Sequence, residues 1–279
     1  MPETFLITTI VKNKFNHEVF TRILQVRQQN MNRRGRILVL GDDCVDIYQW
    51  GQVQRLCPEA PVPVFEPLHK ERRQGMASNL AQNLQSLGLD VTLKTGLKQV
   101  KTRLIDQASE QILLRIDQDR PCEQIILPQD LDQYDSVVVS DYAKGSVDTE
   151  LVRRLELEYK GPIYLDSKRT DLAILTRTLV KINDRERSRQ TAWPKFLITT
   201  LGRQGAEYLG DIYPARSIEL VDACGAGDSF LAALVWAEYL GYTRIESITW
   251  ANTAASICCR HRGVYVVGLD ELIEANNEL

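Results

Sequence analysis

The run Val221-Asp222-Ala223-Cys224-Gly225-Ala226-Gly227-Asp228-Ser229-Phe230 carries the most informative chemistry in the chain. Three tiny residues precede a segment with helical periodicity, and a carboxylate stands in its first turn. Small residues let a ligand approach the backbone closely, and the first N–H groups of a helix point outward without partners. Together with the helix dipole they form a seat for an anion such as a phosphate. An aspartate at the mouth of that seat could take a proton from a hydroxyl as a phosphoryl group arrives. On spacing alone a blander reading stands beside it, with Asp228 an ordinary N-terminal helix acid and Gly225-Ala226-Gly227 a tight turn.

Other phosphate-binding patterns are absent. The chain has no G-x-x-x-x-G-K-[ST] loop, and Gly225-Ala226-Gly227 lacks the third glycine of a dinucleotide fingerprint. Kinase-type H-R-D and D-F-G signatures are missing as well. Six cysteines, at 44, 57, 122, 224, 258 and 259, form no C-x-x-C pair, and His17, His69 and His261 are scattered singly. No transition-metal site is expected. Cys258 and Cys259 sit in an apolar helical run and read as small core thiols.

The elements that must position these residues alternate between short apolar strands and helical patterns. Arg36–Leu40, Val137–Ser140, Ile163–Asp166, Val180–Asn183 and Phe196–Thr200 read as buried strands. Ala77, Leu80, Ala81, Leu84 and Leu87 recur at helical spacing, Asp148 caps a helix with Leu151, Val152 and Leu155, and Asp228–Leu240 and Ile248–Cys259 continue the series. The pattern predicts an α/β protein, a mostly parallel sheet sandwiched by helices. Val62–Glu66, near prolines 58, 61 and 63, reads as an edge strand off the main sheet. With Asp46–Gln54 and Thr102–Ile116 it predicts a small β-layer over one end of the core. Residues 1–35 form an extension with a helix-like Phe15–Arg27 and no readable role.

Composition narrows the class. The 279 residues are 44% hydrophobic and 25% charged, which excludes disorder and fibrous repeats. A net charge of -3 leaves no basic footprint for nucleic acid. Apolar runs are too short to span a bilayer, and no basic leader precedes Phe5–Val11, so a soluble, cytoplasmic protein is expected.

Asp222-x-x-Gly225-Ala226-Gly227-Asp228 is similar to the D-x-x-G-A-G-D signature of ribokinase-like (PfkB-type) sugar kinases. Other segments follow in that family's order. Gly41-Asp42-Asp43-Cys44-Val45-Asp46 resembles its first strand and sugar-contacting acid, and Cys57–Val64 resembles the lid strand of the heptose 7-phosphate kinase branch. Gly75-Met76-Ala77-Ser78-Asn79-Leu80-Ala81 resembles the G-G-A-A-N-x-A helix start, with Gln74 in place of the first glycine. Lys101-Thr102-Arg103, Leu114–Asp117 and Ser140-Asp141-Tyr142-Ala143-Lys144-Gly145 look like the same branch, and Asn183-Asp184-Arg185-Glu186 fits N-x-x-E. The resemblance covers roughly residues 36–275, and several ordered matches are more specific than any one.

The resemblance implies a ribokinase-like three-layer α/β/α sandwich over residues 36–279, with a small β-lid from about 46–66 and 102–116. It implies ATP and Mg²⁺ as cofactors and a sugar or sugar phosphate as substrate, best matched by heptose 7-phosphate at its anomeric hydroxyl. Asp228 would be the general base, with Gly225, Ala226 and Gly227 holding the phosphoryl group. Asn183 and Glu186 would position Mg²⁺ through water, and Thr200, Gly202, Asp222 and Asn252 would border the nucleotide. Asp42, Asp46, Gly75, Asn79 and Asp141 would serve the sugar, and Lys101, Arg103, Arg115 and Lys144 a second phosphate on it. The lid strands offer a surface for a homodimer. Two departures stand against activity and favour an idle nucleotide- or sugar-binding module: Gln74, and a very short segment between Gly96 and Lys101 where the family inserts a helix and a strand.

Overall fold

A computed structural model describes residues 34–277. The extension expected at 1–35, with its Phe15–Arg27 segment, lies outside them except for its last two residues. β1 (Arg36–Gly41) is buried from its second residue onward. One residue later the chain enters β2 (Asp43–Leu56), which pairs antiparallel with β3 (Pro63–Gly75). α1 (Met76–Ser86) buries Ala77, Leu80, Ala81 and Leu84 and returns the chain to β4 (Asp90–Thr95), parallel to β1. Three residues then lead directly into β5 (Gln99–Asp106), parallel to β2, and on to β6 (Ile112–Gln118).

The second half repeats strand and helix. β7 (Ser136–Asp141) is wholly buried, and Asp148 caps α2 (Thr149–Glu158) by accepting the Leu151 N–H at 2.8 Å. β8 (Ile163–Ser167), β9 (Leu179–Asn183) and β10 (Phe196–Thr200) follow, with a single helical turn, α3 (Asp184–Arg187), between the last two. A hairpin of β11 (Ala206–Tyr208) and β12 (Asp211–Tyr213) leads to α4 (Ala226–Tyr239), α5 (Arg244–Cys258) and α6 (Leu269–Asn277).

Two sheets result. The main one runs β12-β11-β10-β9-β8-β7-β1-β4, parallel apart from the β10–β11–β12 end. The other, β3-β2-β5-β6, is the lid. Pro63 and Pro67 lie on its edge strand, where a missing N–H costs little ladder bonding. The lid extends beyond the expected 46–66 and 102–116 because Lys70-Glu71-Arg72-Arg73 shows no apolar alternation. Pairing with β2, not burial, makes that stretch a strand.

Helices cover both faces of the main sheet. On one, Ile37, Val39, Val138 and Ile198 meet α1, α4, α5 and α6; on the other, Leu38, Leu40, Val139 and Leu165 meet α2. Every residue of α4 from Asp228 to Ala237 is buried, so this helix is core on all sides. Burying Phe230, Leu231 and Leu234 stabilises by about 1.5–3 kcal/mol each. α4 is therefore rigidly seated, and its N-terminus is fixed at the edge where parallel β1, β7, β8, β9 and β10 end. Loops beyond that edge form the site.

Candidate active site

Gly225 precedes α4 with φ of 82°, a left-handed conformation that a side chain disfavours. That turn places the backbone N–H of Gly227 at the open end of the helix, whereas the Ala226 N–H, expected to hold the phosphoryl group, is turned to the Ala223 carbonyl at 3.3 Å. Gly227 packs against a cation: a Cβ there would stand 2.7 Å from Lys181 Nζ. Lys181 on β9 bonds Asp166 of β8 at 2.8 Å, and both side chains are nearly sealed from solvent. Burial pulls the ammonium's pKa down, but the Asp166 charge and hydrogen bond outweigh it and raise the net value. A cation therefore lies directly beneath the expected phosphoryl seat. Sequence reasoning missed both residues, and the K-x-N spacing before Asn183 was the only signal that could have found one of them.

Asp228 is 3% exposed. Its Oδ2 accepts Asn79 Nδ2 at 2.8 Å and its Oδ1 accepts the Tyr142 hydroxyl at 3.2 Å. Burial pushes the carboxyl up to about 6, against the lowering effects of Asn79, Lys181 and Tyr142. A carboxylate with that value is mostly ionised at neutral pH and poised to accept a proton.

A cavity of about 710 Å³ opens beside this turn, walled by Lys181, Asn183, Thr200, Gly202, Ala226, Gly227 and Asn252 among others. Asn252 donates from Nδ2 to the Tyr213 carbonyl at 2.9 Å, which fixes the loop entering the cavity wall. Three of the four residues expected to border the nucleotide, Thr200, Gly202 and Asn252, are therefore brought together here, beside Asn183. Asp222 is not among them. Its oxygens accept the Cys224 and Gly263 N–H groups at 3.0 and 2.8 Å, so it braces the turn from behind. Its side faces a second cavity of about 460 Å³ between core and lid, shared with Tyr48, Ile105, Glu110 and Arg262.

Asn183 and Glu186 form a capping box on α3: Asn183 Oδ1 accepts the Glu186 N–H, and Glu186 Oε2 accepts the Asn183 N–H. Burial raises the Glu186 pKa, and the Asp166 charge raises it further. Two interacting carboxylates beside a phosphate-sized seat are a hard-oxygen donor set suited to Mg²⁺. Among the described residues no three His, Cys, Asp or Glu side chains could hold a metal on their own. The residues fit a metal held largely by water and phosphate oxygens.

Several residues expected at the sugar serve other purposes. Asp42 is fully buried and accepts the N–H groups of Tyr142, Lys144 and Ser146 at 2.8–3.0 Å, so it pins the loop after β7. Asp141 is likewise buried, bonded to Ser167, Arg169 and the Ala143 N–H. Asn79 holds Asp228. Asp46 does face inward from the lid, next to Gly75 and paired with Arg103. Arg115 pairs with Asp117 and Lys144 with Asp119, on exposed or half-exposed ground. Of the four cations expected for a second phosphate, Lys101 alone has no ion-pair partner among the described residues. Its Nζ lies 5.7 Å from the Tyr142 ring centre, and Lys168 Nζ, absent from the sequence expectation, lies 4.3 Å from the same ring.

Comparison with known proteins agrees with this architecture. The profile of the pfkB family carbohydrate kinases matches residues 167–271. The chain is 29% identical to a D-beta-D-heptose 7-phosphate kinase of Bordetella bronchiseptica, over 86% of this chain and 95% of that protein. It is 28% identical to the bifunctional protein HldE of a Nitratiruptor species, over 86% of this chain, and spans 64% of that longer protein. The structure of Arabidopsis thaliana ribokinase complexed with ribose and ATP superposes with a TM-score of 0.64 at 16% identity, over 87% of this chain and 99% of that one. The fold is ribokinase-like. No helix among the described residues is long and apolar enough to cross a membrane.

Proposed function

From a chain whose residues 167–271 match the pfkB family carbohydrate kinase profile, on a ribokinase-like fold, we propose the transfer of the ATP γ-phosphoryl group to a sugar phosphate. The acceptor proposed is heptose 7-phosphate, at its anomeric hydroxyl. One observation carries this reading: a buried carboxylate, Asp228, stands within the first turn of a buried helix, directly after Ala226 and Gly227, which line a cavity of about 710 Å³.

In this mechanism ATP occupies the 710 Å³ cavity, with its phosphates directed at the helix N-terminus around the Gly227 N–H. The acceptor lies between the lid's Asp46 and Asp228. Asp228 receives the hydroxyl proton as the oxygen attacks the γ-phosphorus, and ADP leaves. Phosphoryl transfer needs mainly positioning and charge neutralisation. The helix N-terminus and Lys181 supply fixed positive charge at the seat. Asn183, Glu186 and Asp166 are the residues that would hold Mg²⁺, which when bound neutralises phosphate charge. The unpaired Lys101 and Lys168 ammoniums suit the acceptor's own phosphate better than the paired Arg115 and Lys144 do.

The lid also supports the homodimer reading. Alternation puts Asp46, Tyr48 and Arg103 on its inner face, leaving Val45, Ile47, Leu104, Leu114 and Ile116 on the outer one. Leu114 and Ile116 are exposed.

The test is ADP release with ATP and Mg²⁺ across a panel of sugars and sugar phosphates, for wild type and Asp228→Asn. Turnover on a sugar phosphate that the variant loses supports the reading. Full activity in Asp228→Asn, or nucleotide binding without any acceptor-dependent turnover, overturns it and favours the idle module.

A further inference from the structure

The two donors on Asp228 come from elements far apart in the chain, and they differ in kind. Asn79 belongs to α1, whose apolar face anchors it. Tyr142 belongs to a loop that has no packing helix of its own and is held by the buried Asp42 through the N–H groups of Tyr142, Lys144 and Ser146. Ala143, next to the tyrosine, has φ of 56°, a costly conformation for alanine. A buried carboxylate and a strained residue are thus both committed to setting one tyrosine, whose hydroxyl reaches Asp228 Oδ1.

We propose that Tyr142 is a positioning residue for phosphoryl transfer, its hydroxyl held against the Asp228 carboxylate so as to favour the charged form that accepts the proton. The proposal rests on the reading of Asp228 as the base. Burial, and next the Asp228 charge, drive the phenol's own pKa well above 10, so Tyr142 remains a donor throughout the working range. The other groups facing Asp228 are Lys181 from β9, Asp166 from β8, Cys224 from the preceding turn and Cys258 from α5. None of them is altered by removing one phenolic oxygen. The Lys101 and Lys168 contacts with the ring also survive in phenylalanine.

Tyr142→Phe therefore isolates the hydrogen bond. The sign follows from which form it favours: a bond to the carboxylate lowers its pKa, so losing the bond raises it. The acid limb of kcat/KM in Tyr142→Phe is expected to move up by roughly one pH unit, the size of a single hydrogen bond to the charged form. Activity on the alkaline plateau is expected to stay within about threefold of wild type. Ionisation of the sugar phosphate falls in the same range but is common to both proteins, so the difference between the two profiles excludes it. Unchanged thermal melting shows that the variant is folded. A limb that stays in place, with activity reduced equally at every pH or not at all, overturns the proposal and leaves Tyr142 a packing residue. Asp228→Asn separates this failure from failure of the underlying reading: an active Asp228→Asn removes the base itself, whatever Tyr142→Phe does.

Discussion

Lys181 and Asp166 offer a test in which stability and catalysis part company. The pair is 2.8 Å apart, with side chains 5% and 13% exposed. In Lys181→Met a carboxylate is left buried without its counter-ion, beside Glu186 and Asp228, whose pKa values its charge already raises. Removing one partner of a buried pair costs about 3–5 kcal/mol. At about 2–4 °C per kcal/mol for a chain of this size, the melting temperature should fall by roughly 6–20 °C. Asp166→Asn combined with Lys181→Met removes both charges, and replacing a buried pair by neutral groups is often nearly free, so most of that loss should return. Activity should not return with it. The Lys181 ammonium lies beneath Gly227, and its loss should cost about 10²–10³ in kcat, the scale of one preorganised charge-stabilising group. Differential scanning calorimetry and the ADP-release assay on the two variants read the two quantities independently. A double variant that regains both stability and turnover would refute the catalytic argument, and a single variant that melts with wild type would refute the burial argument.

Two further outcomes are expected. Glu156 accepts the N–H groups of Thr176, Arg177 and Thr178. Burial alone would raise its carboxyl, but those donors hold it below the ordinary 4.5. A depressed folded pKa means that its stabilisation is present above 4.5 and fades as pH falls through the lower folded value. Glu156→Gln should therefore melt several degrees lower at neutral pH, a loss on the order of 2 kcal/mol, with the gap closing in acid. A gap that persists unchanged in acid would count against this account. Leu114→Lys, placing a charge on the lid's outer face, should shift the sedimenting species from dimer to monomer; a wild-type chain that sediments as a monomer would remove the homodimer reading.

What the sequence revealed divides by how local the determining interaction is. The turn at Gly225-Ala226-Gly227 and the acid after it were legible because a left-handed glycine, small residues and a helix start are adjacent in the chain. The strands β1, β7, β8, β9 and β10 were legible as short apolar runs, whereas β4, with sequence DVTLKT, presents no such run and the three-residue β11 and β12 are too short for any period to register. The partners of Asp228 were another matter. Asn79 and Tyr142 lie 149 and 86 residues away, and no spacing rule reaches that far. Asp42, Asp46 and Asp141 are indistinguishable as letters. Only the donors around them separate the two that hold loops from the one that faces inward from the lid.

The two departures that weigh against activity in the sequence meet at one place in the fold, away from the phosphoryl seat. Gln74 pairs with Val45, so its side chain belongs to the lid's outer face and not to the face that carries Asp46. There its Oε1 accepts Lys98 Nζ at 2.8 Å, and Lys98 comes from the shortened segment itself. The same ammonium lies 3.1 Å from Asp43, a carboxylate with no exposure at all. Shortening the segment thus brings in the counter-ion that a buried acid needs, and glutamine in place of glycine supplies that ion with a further acceptor. The strand left at the sheet edge, β4, presents exposed Asp90, Thr92 and Lys94 on the side where a covering helix would otherwise pack, and a charged edge resists unwanted pairing. None of these residues bonds Asp228, Lys181 or the Gly225 turn. The trimming therefore reshapes the β4 edge and the root of the lid, and leaves the groups that would transfer the phosphoryl group in place.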